Sequence, residues 1–190
     1  MAVMSIAEAW PAAGRPFTVQ DLDRMPDDGH RYELLDGALI VSPRPVIAHQ
    51  EVAMELGVQL RRVCPPELRV IPEPAVEMSA ATEFNPDLVV IRRDQVNAAK
   101  CTEPPLLVVE IRSPSTALID LGRKKAAYQR FGVPSYWIVD PDAGNPALTV
   151  FELAAGRYTG AARVAGTATF EARQPFPVTL TPAAIVAGLR

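Results

Sequence analysis

The stretch LLVVEIRSPS, residues 106–115, carries the reading of the fold. Four apolar residues, Leu106 to Val109, run straight into a carboxylate, Glu110, and Arg112 leads out into Ser113-Pro114-Ser115. A short apolar run bounded by turn residues reads as a strand covered on both faces. A lone ionised carboxylate in such a place is costly, so it must be paired, neutralised or bound to a cation.

The flanking segments give that strand its neighbours. STALIDLGRKKAAYQRFG (115–132) is helical in pattern, with Ser115 or Thr116 as cap and Gly132 closing it. PSYWIVDP (134–141) reads as another strand, with Tyr136 and Trp137 as core or interface residues. Strand, helix and strand over 106–140 suit a crossover between parallel strands. Upstream, NPDLVVI (85–91) is a strand opening on Asp87, and the strands before 106 are spaced too closely for helical crossovers. They should therefore be antiparallel neighbours. ELRVIPEPAVEM (67–78) reads as one strand, interrupted by Pro72 and Pro74 and so bent or at an edge, with Glu73 and Glu77 facing solvent.

Further out, FTVQDLDRM (17–25) is a short helix capped by Thr18, with Asp21 three residues on. HRYELLDGALIVSP (30–43) is a hairpin turning at Asp36-Gly37. Positions 49, 53, 56, 60 and 63 form one mainly apolar face of a helix over about 46–63. ALTVFEL (147–153) and GRYTGAARV (156–164) make a β-rich C-terminal part, and TPAAIVAGL (181–189) a last short helix. The expected architecture is α/β, a mixed β-sheet flanked by helices with extra C-terminal strands.

At 190 residues the chain is expected to be one domain over 1–190, with 1–16 a loose lead-in. A net charge of −3 gives no global basic bias toward nucleic acid, which leaves only a local patch. Cys64 and Cys101 are isolated, without metal-ligand spacing, and point to a reducing compartment. The N-terminus lacks an early Lys or Arg and is a poor signal peptide, and no apolar run reaches the roughly 18 residues of a membrane span. A cytoplasmic protein without membrane contact is the expectation.

Asp87 opens one strand and Glu110 nearly ends the next. If the two are antiparallel neighbours, the carboxylates converge at one sheet edge and offer oxygen ligands to a hard cation such as Mg²⁺. The plainer alternative has Asp87 capping a turn and Glu110 paired with Arg112 or a lysine. The following helix adds a cation. Asp120, Lys124 and Tyr128 fall at i, i+4 and i+8, and Leu121, Lys124, Tyr128 and Phe131 share a broad inward-leaning face. Lys125 lies about 100° round from Lys124, close to the same face, so periodicity does not separate the two.

These residues resemble the PD-(D/E)XK nuclease superfamily and, more closely, its Uma-two branch of restriction-like endonucleases. The matching stretches are RYELLDG (31–37), HQ (49–50), PDLVV (86–90), VVEIRSPST (108–116), DLGRKKAAY (120–128) and GVPSYWIVDP (132–141). The resemblance implies a restriction-endonuclease-like fold, metal-dependent hydrolysis of DNA phosphodiesters with Mg²⁺ (or Mn²⁺), and a homodimer. Carried over by position, Asp87, Glu110 and Lys124 are the catalytic set, and Asp87, Glu110 and the Ile111 carbonyl hold the metal. Glu33 matches a recurrent acidic position. Arg112 stands where the superfamily's usual ExK lysine falls and where this branch more often has an apolar residue; it could grip a phosphate oxygen. Ala38 replaces a common acid, and Asn85 stands where a basic residue often precedes PD.

Other polar positions carry two readings. His49, on the apolar face of its helix, is either packed and hydrogen-bonded or an accessory site residue. Tyr128 reads as a packing residue with a polar tip, and Asp36 as a turn residue. Arg123, Lys124, Lys125 and Arg130 form a small basic cluster, equally explicable as a solvated face. The rival functional class is a nuclease-fold binding module without turnover, to which the acidic charge balance leans. A weaker third is hydrolysis of a small phosphoester.

Overall fold

The computed structural model describes residues 14–113 and 120–189. The expected caps Ser115 and Thr116, most of the N-terminal lead-in, and the side chains of Asp120 and Leu121 lie outside the described residues.

The strands are β1 (His30–Leu35), β2 (Ala38–Pro43), β3 (Leu68–Pro72), β4 (Val76–Ser79), β5 (Thr82–Phe84), β6 (Leu88–Arg92), β7 (Leu107–Ile111), β8 (Ser135–Asp140), β9 (Ala147–Ala154), β10 (Arg157–Ala165), β11 (Phe170–Ala172) and β12 (Val178–Leu180). A six-stranded sheet runs β10-β9-β8-β7-β6-β3. Only β7 and β8 pair in parallel, as the helical link between them requires, and the other neighbours are antiparallel. A four-stranded antiparallel sheet runs β2-β1-β5-β4, and β11 pairs with β12.

The central strands are apolar on both faces because both are covered. On one face Leu107, Val109, Ile111, Trp137 and Val139 pack against helix α2 (Ile47–Val63) through Val52, Leu56 and Leu60. On the other face Val89, Val108, Tyr136 and Ile138 meet Leu35, Val76 and Phe84 of the small sheet, together with Ala127 and Tyr128 of helix α3 (Lys125–Phe131). Burying a side chain of this size stabilises by about 1.5–3 kcal/mol relative to exposure. Short helices α1 (Val19–Leu22) and α4 (Pro182–Ile185) lie near the two ends of the described residues.

Several local expectations hold for visible reasons. Thr18 and Asp21 form a reciprocal capping box on α1. Asp36 and Gly37 both take positive φ, 49° and 81°, the pair of conformations that a two-residue hairpin turn demands. Gly132 ends α3 in the left-handed conformation.

Four details differ. The stretch 67–78 is two strands in two sheets, because the Pro72-Glu73-Pro74 break includes a positive φ of 47° at Glu73. Glu73 is exposed, but Glu77 is half-buried and lies 3.8 Å from Lys100. Val63, assigned to the buried face of α2, is 49% exposed; the inward stripe runs through Val52, Ala53, Leu56, Gly57 and Leu60. Among the described residues, the helix that Gly132 closes includes a π-helical turn over Asp120–Lys124, whose wider winding departs from the 3.6-residue period.

Candidate active site

β6 and β7 bring Asp87 and Glu110 together by register. Leu88 pairs with Val109 in an antiparallel ladder, so the next step outward sets Asp87 opposite Glu110. Residues directly opposite one another in such a pair have Cβ atoms about 4.5–5.5 Å apart. Both point to the face shared with Val89 and Val108, both are almost fully buried, and both line one cavity of about 160 Å³. The Ile111 N–H donates to Asp87 Oδ2 at 2.6 Å, which ties the two strand ends together.

The small sheet closes the cavity. Along β1 the side chains alternate: Tyr32 and Leu34 turn toward α1, while Arg31, Glu33 and Leu35 turn toward the central sheet. Glu33 is buried, and its Oε1 accepts from the Asn85 backbone N–H at 2.9 Å. Asn85 thus braces the site through its main chain.

Lys124 bridges the two sheets. Its ammonium lies 3.0 Å from Glu33 Oε1 and 3.1 Å from Glu110 Oε1 and is 2% exposed. Lys125 instead lies over the Phe151 ring, 4.1 Å from its centroid. The π-helical turn ends at Lys124, and an extra residue in a turn re-aims the side chains around it. Tyr128, fully buried, donates to Glu110 Oε1 at 2.8 Å. Burial and the neighbouring Glu110 charge push its phenol far above the usual range. Its polar tip therefore belongs to the site as well as to the packing.

His49, from the first turn of α2, aims Nε2 at Asp87 Oδ2 (3.3 Å) and at the Ile111 carbonyl (3.2 Å). Both are acceptors, so Nε2 carries a proton. Burial lowers its affinity for the second proton, but the Asp87 hydrogen bond and charge outweigh that, and the imidazole titrates above its ordinary value. Reciprocally, burial alone would raise Asp87, but His49, Arg31 and the Ile111 N–H together hold it below the usual carboxylate range.

Arg31 was not singled out in the sequence, although the R-x-E spacing of RYE is the signal that it shares a strand face with Glu33. Its Nη1 lies 3.5 Å from Asp87 Oδ1. Arg112, expected to face a phosphate, instead pairs with Asp140 across the parallel β7–β8 register, and it does not line the cavity. The plainer alternative for Glu110, a pairing with a lysine, is met by Lys124, and Tyr128 adds a hydrogen bond to the same oxygen.

The donor set fits a hard divalent cation in a mostly hydrated mode. Asp87 Oδ1 is buried without a hydrogen-bond donor, and Glu110 and the Ile111 carbonyl adjoin it. Among the described residues no group of three or more His, Cys, Asp or Glu is placed to hold a metal ion. Two carboxylates with a carbonyl and waters are what Mg²⁺ ordinarily takes.

The fold is similar to that of a crystal structure from Anabaena variabilis described as "a putative nuclease". The TM-score is 0.72 over 92% of this chain and 100% of that chain, at 18% identity. The mixed sheet with its flanking helices is thus a restriction-endonuclease-like fold. No helix among the described residues is long and apolar enough to cross a membrane. The chain matches no curated protein at a significant level. The family model described as "Putative restriction endonuclease" matches residues 19–185, a span that contains every site residue discussed above. The chain therefore belongs to the Uma-two (Uma2) family of restriction-endonuclease-like proteins.

Proposed function

We propose that this protein is a Mg²⁺-dependent endonuclease that hydrolyses DNA phosphodiesters and acts as a homodimer in the cytoplasm, with Mn²⁺ as an alternative metal. The observation that carries the reading is the meeting of Asp87, Glu110 and Lys124 in one small cavity, drawn from two strands and a helix. Asp87, Glu110 and the Ile111 carbonyl are the groups that hold the metal. When bound, the cation neutralises phosphate charge and lowers the pKa of an attached water.

The chain's own residues do the rest. Lys124 holds the Glu33 and Glu110 carboxylates in place and supplies positive charge as negative charge grows on the phosphate. Tyr128 fixes the Glu110 rotamer from within the core. His49 clamps Asp87 to the Ile111 carbonyl, so both keep their orientation whether or not substrate is present. Glu33 stands across the cavity as a further acceptor for a water.

The test is cleavage. Purified protein with Mg²⁺ or Mn²⁺ should nick or cut DNA, and EDTA should stop it. Asp87→Asn and Glu110→Gln should each abolish cutting, because each removes charge from the metal's ligands. Lys124→Ala should lose cutting while retaining metal. DNA binding without cleavage across metals and substrates would instead favour the non-catalytic module, toward which the net charge of −3 leans. Unchanged cutting by Glu110→Gln would refute the site.

A further inference from the structure

We infer that Arg31 is a substrate-binding residue whose guanidinium grips a phosphate oxygen in the cavity; this rests on the nuclease reading of the same site. Arg31 sits on β1, projects from the small sheet into the cavity and is 17% exposed at its side chain. Its fork of donors is largely unspent. Nη1 approaches Asp87 Oδ1 only to 3.5 Å, too far for a hydrogen bond. Nη2 is buried and has no hydrogen-bond partner. Buried polar groups are ordinarily satisfied, so such a donor calls for an acceptor that arrives with a ligand.

The charge around it decides which ligand. A guanidinium stays protonated, so Arg31 is a fixed cation beside Asp87 in a cavity that Glu33 and Glu110 also line. Glu33 and Glu110 already share Lys124, and Asp87 has His49 and the Ile111 N–H. Asp87 leaves Oδ1 without a donor, but Arg31 Nη1 reaches it only to 3.5 Å and Nη2 has no partner, so the fork keeps donors for a further acceptor. With Asp87 and Glu110 engaged by a divalent cation, the guanidinium would be held less by them, and a tetrahedral anion would meet donors already desolvated. A planar fork matches two phosphate oxygens at once, which an ammonium cannot do. Arg112 does not compete for the role, being drawn to Asp140.

The ligand chemistry is a phosphate oxyanion, from a DNA phosphodiester or from a free phosphate. The experiment compares wild type, Arg31→Gln and Arg31→Lys in the full chain, with Mn²⁺ affinity and thermal midpoint measured for each. One arm titrates inorganic phosphate in the presence of Mg²⁺. The other titrates a short DNA oligonucleotide in Ca²⁺ across a salt series. Arg31→Gln should weaken phosphate binding by about tenfold or more, the worth of a charge-assisted pair. It should also reduce the salt slope for the oligonucleotide by about one. Arg31→Lys should recover only part of the affinity, and Mn²⁺ affinity should stay within about twofold of wild type. A merely structural arginine would not change the salt slope. If Arg31→Gln binds both probes like wild type, the inference is overturned, even if DNA is cut and the nuclease reading stands. If wild type binds no DNA but loses phosphate with Arg31→Gln, the inference holds with free phosphate as the source, and the nuclease reading fails. If wild type binds neither probe, both fall.

Discussion

Lys124→Met puts the proposed electrostatics of the cavity under the most direct load. The substitution keeps most of the side-chain volume and removes the one ammonium that Glu33 and Glu110 share, at 3.0 and 3.1 Å. The two Oε1 atoms then face each other across no more than about 6 Å, where unit charges at an effective dielectric near 20 repel by about 3 kcal/mol. Breaking a buried pair by removing one partner costs about 3–5 kcal/mol in general, so the two estimates agree. For a chain of this length that corresponds to a fall in thermal midpoint of about 6–20 °C. Urea unfolding with the slope held constant gives the free energy. The double variant Lys124→Met/Glu33→Gln should recover most of the loss, because it removes the repulsion. Added Mg²⁺ should stabilise Lys124→Met more than it stabilises wild type. A single-variant loss under about 1 kcal/mol, with no recovery in the double, is the range of an exposed pair and would refute the argument.

Four further outcomes are expected. Tyr128→Phe keeps the ring packing but removes the hydrogen bond to Glu110; it should cost about 1.5–3 kcal/mol in chemical denaturation and weaken Mn²⁺ binding measured by calorimetry. Gly37→Ala places a Cβ 2.6 Å from Pro16 Cβ at a φ of 81°, and should lower stability by more than about 1 kcal/mol. Arg112→Ala loses a partly exposed pair with Asp140, so its unfolding free energy should change by less than about 1 kcal/mol and phosphate affinity should be retained. Asp21 is held well below the usual carboxylate range, chiefly by its hydrogen bond to Arg15 and then by Thr18. Its contribution is fully present above the unfolded carboxylate value, about 4, and is lost as pH falls toward the folded value. The midpoint gap between wild type and Asp21→Asn should therefore hold steady from neutrality down to about pH 4 and close as pH falls further.

What could be read from the sequence, and what could not, follows from the range of the forces involved. Asp87 and Glu110 were legible because each sits at the end of an apolar run, and strand ends of antiparallel neighbours must meet. The parallel step from β7 to β8 was legible because a helix-length link allows little else. Lys124 against Lys125 was not decidable from spacing, because the π-helical turn at Asp120–Lys124 breaks the period that a helical wheel assumes. Arg31 was hidden for a different reason. Strand alternation puts it on the face of Glu33, but which face of a small sheet turns inward is settled only by packing against β6–β8. The 67–78 stretch misled because its proline-flanked break looked like a bend, whereas a positive φ at Glu73 sends the chain to another sheet.

The cavity is stitched from four sources: Arg31 and Glu33 from the small sheet, Asp87 and Glu110 from the large one, and His49 and Lys124 from helices on opposite faces of the latter. No contiguous segment carries the constellation by itself. A chain still emerging during synthesis, or one whose small sheet has peeled away, holds the acids but lacks the groups that oppose them. On the proposed nuclease reading, cleavage is thereby made conditional on complete assembly. The same arrangement works in reverse: a ligand spanning Arg31 and Asp87 acts as a rivet between the sheets. It should slow hydrogen exchange in β1 and β5 as strongly as in β6 and β7, because none of them can open while it is held.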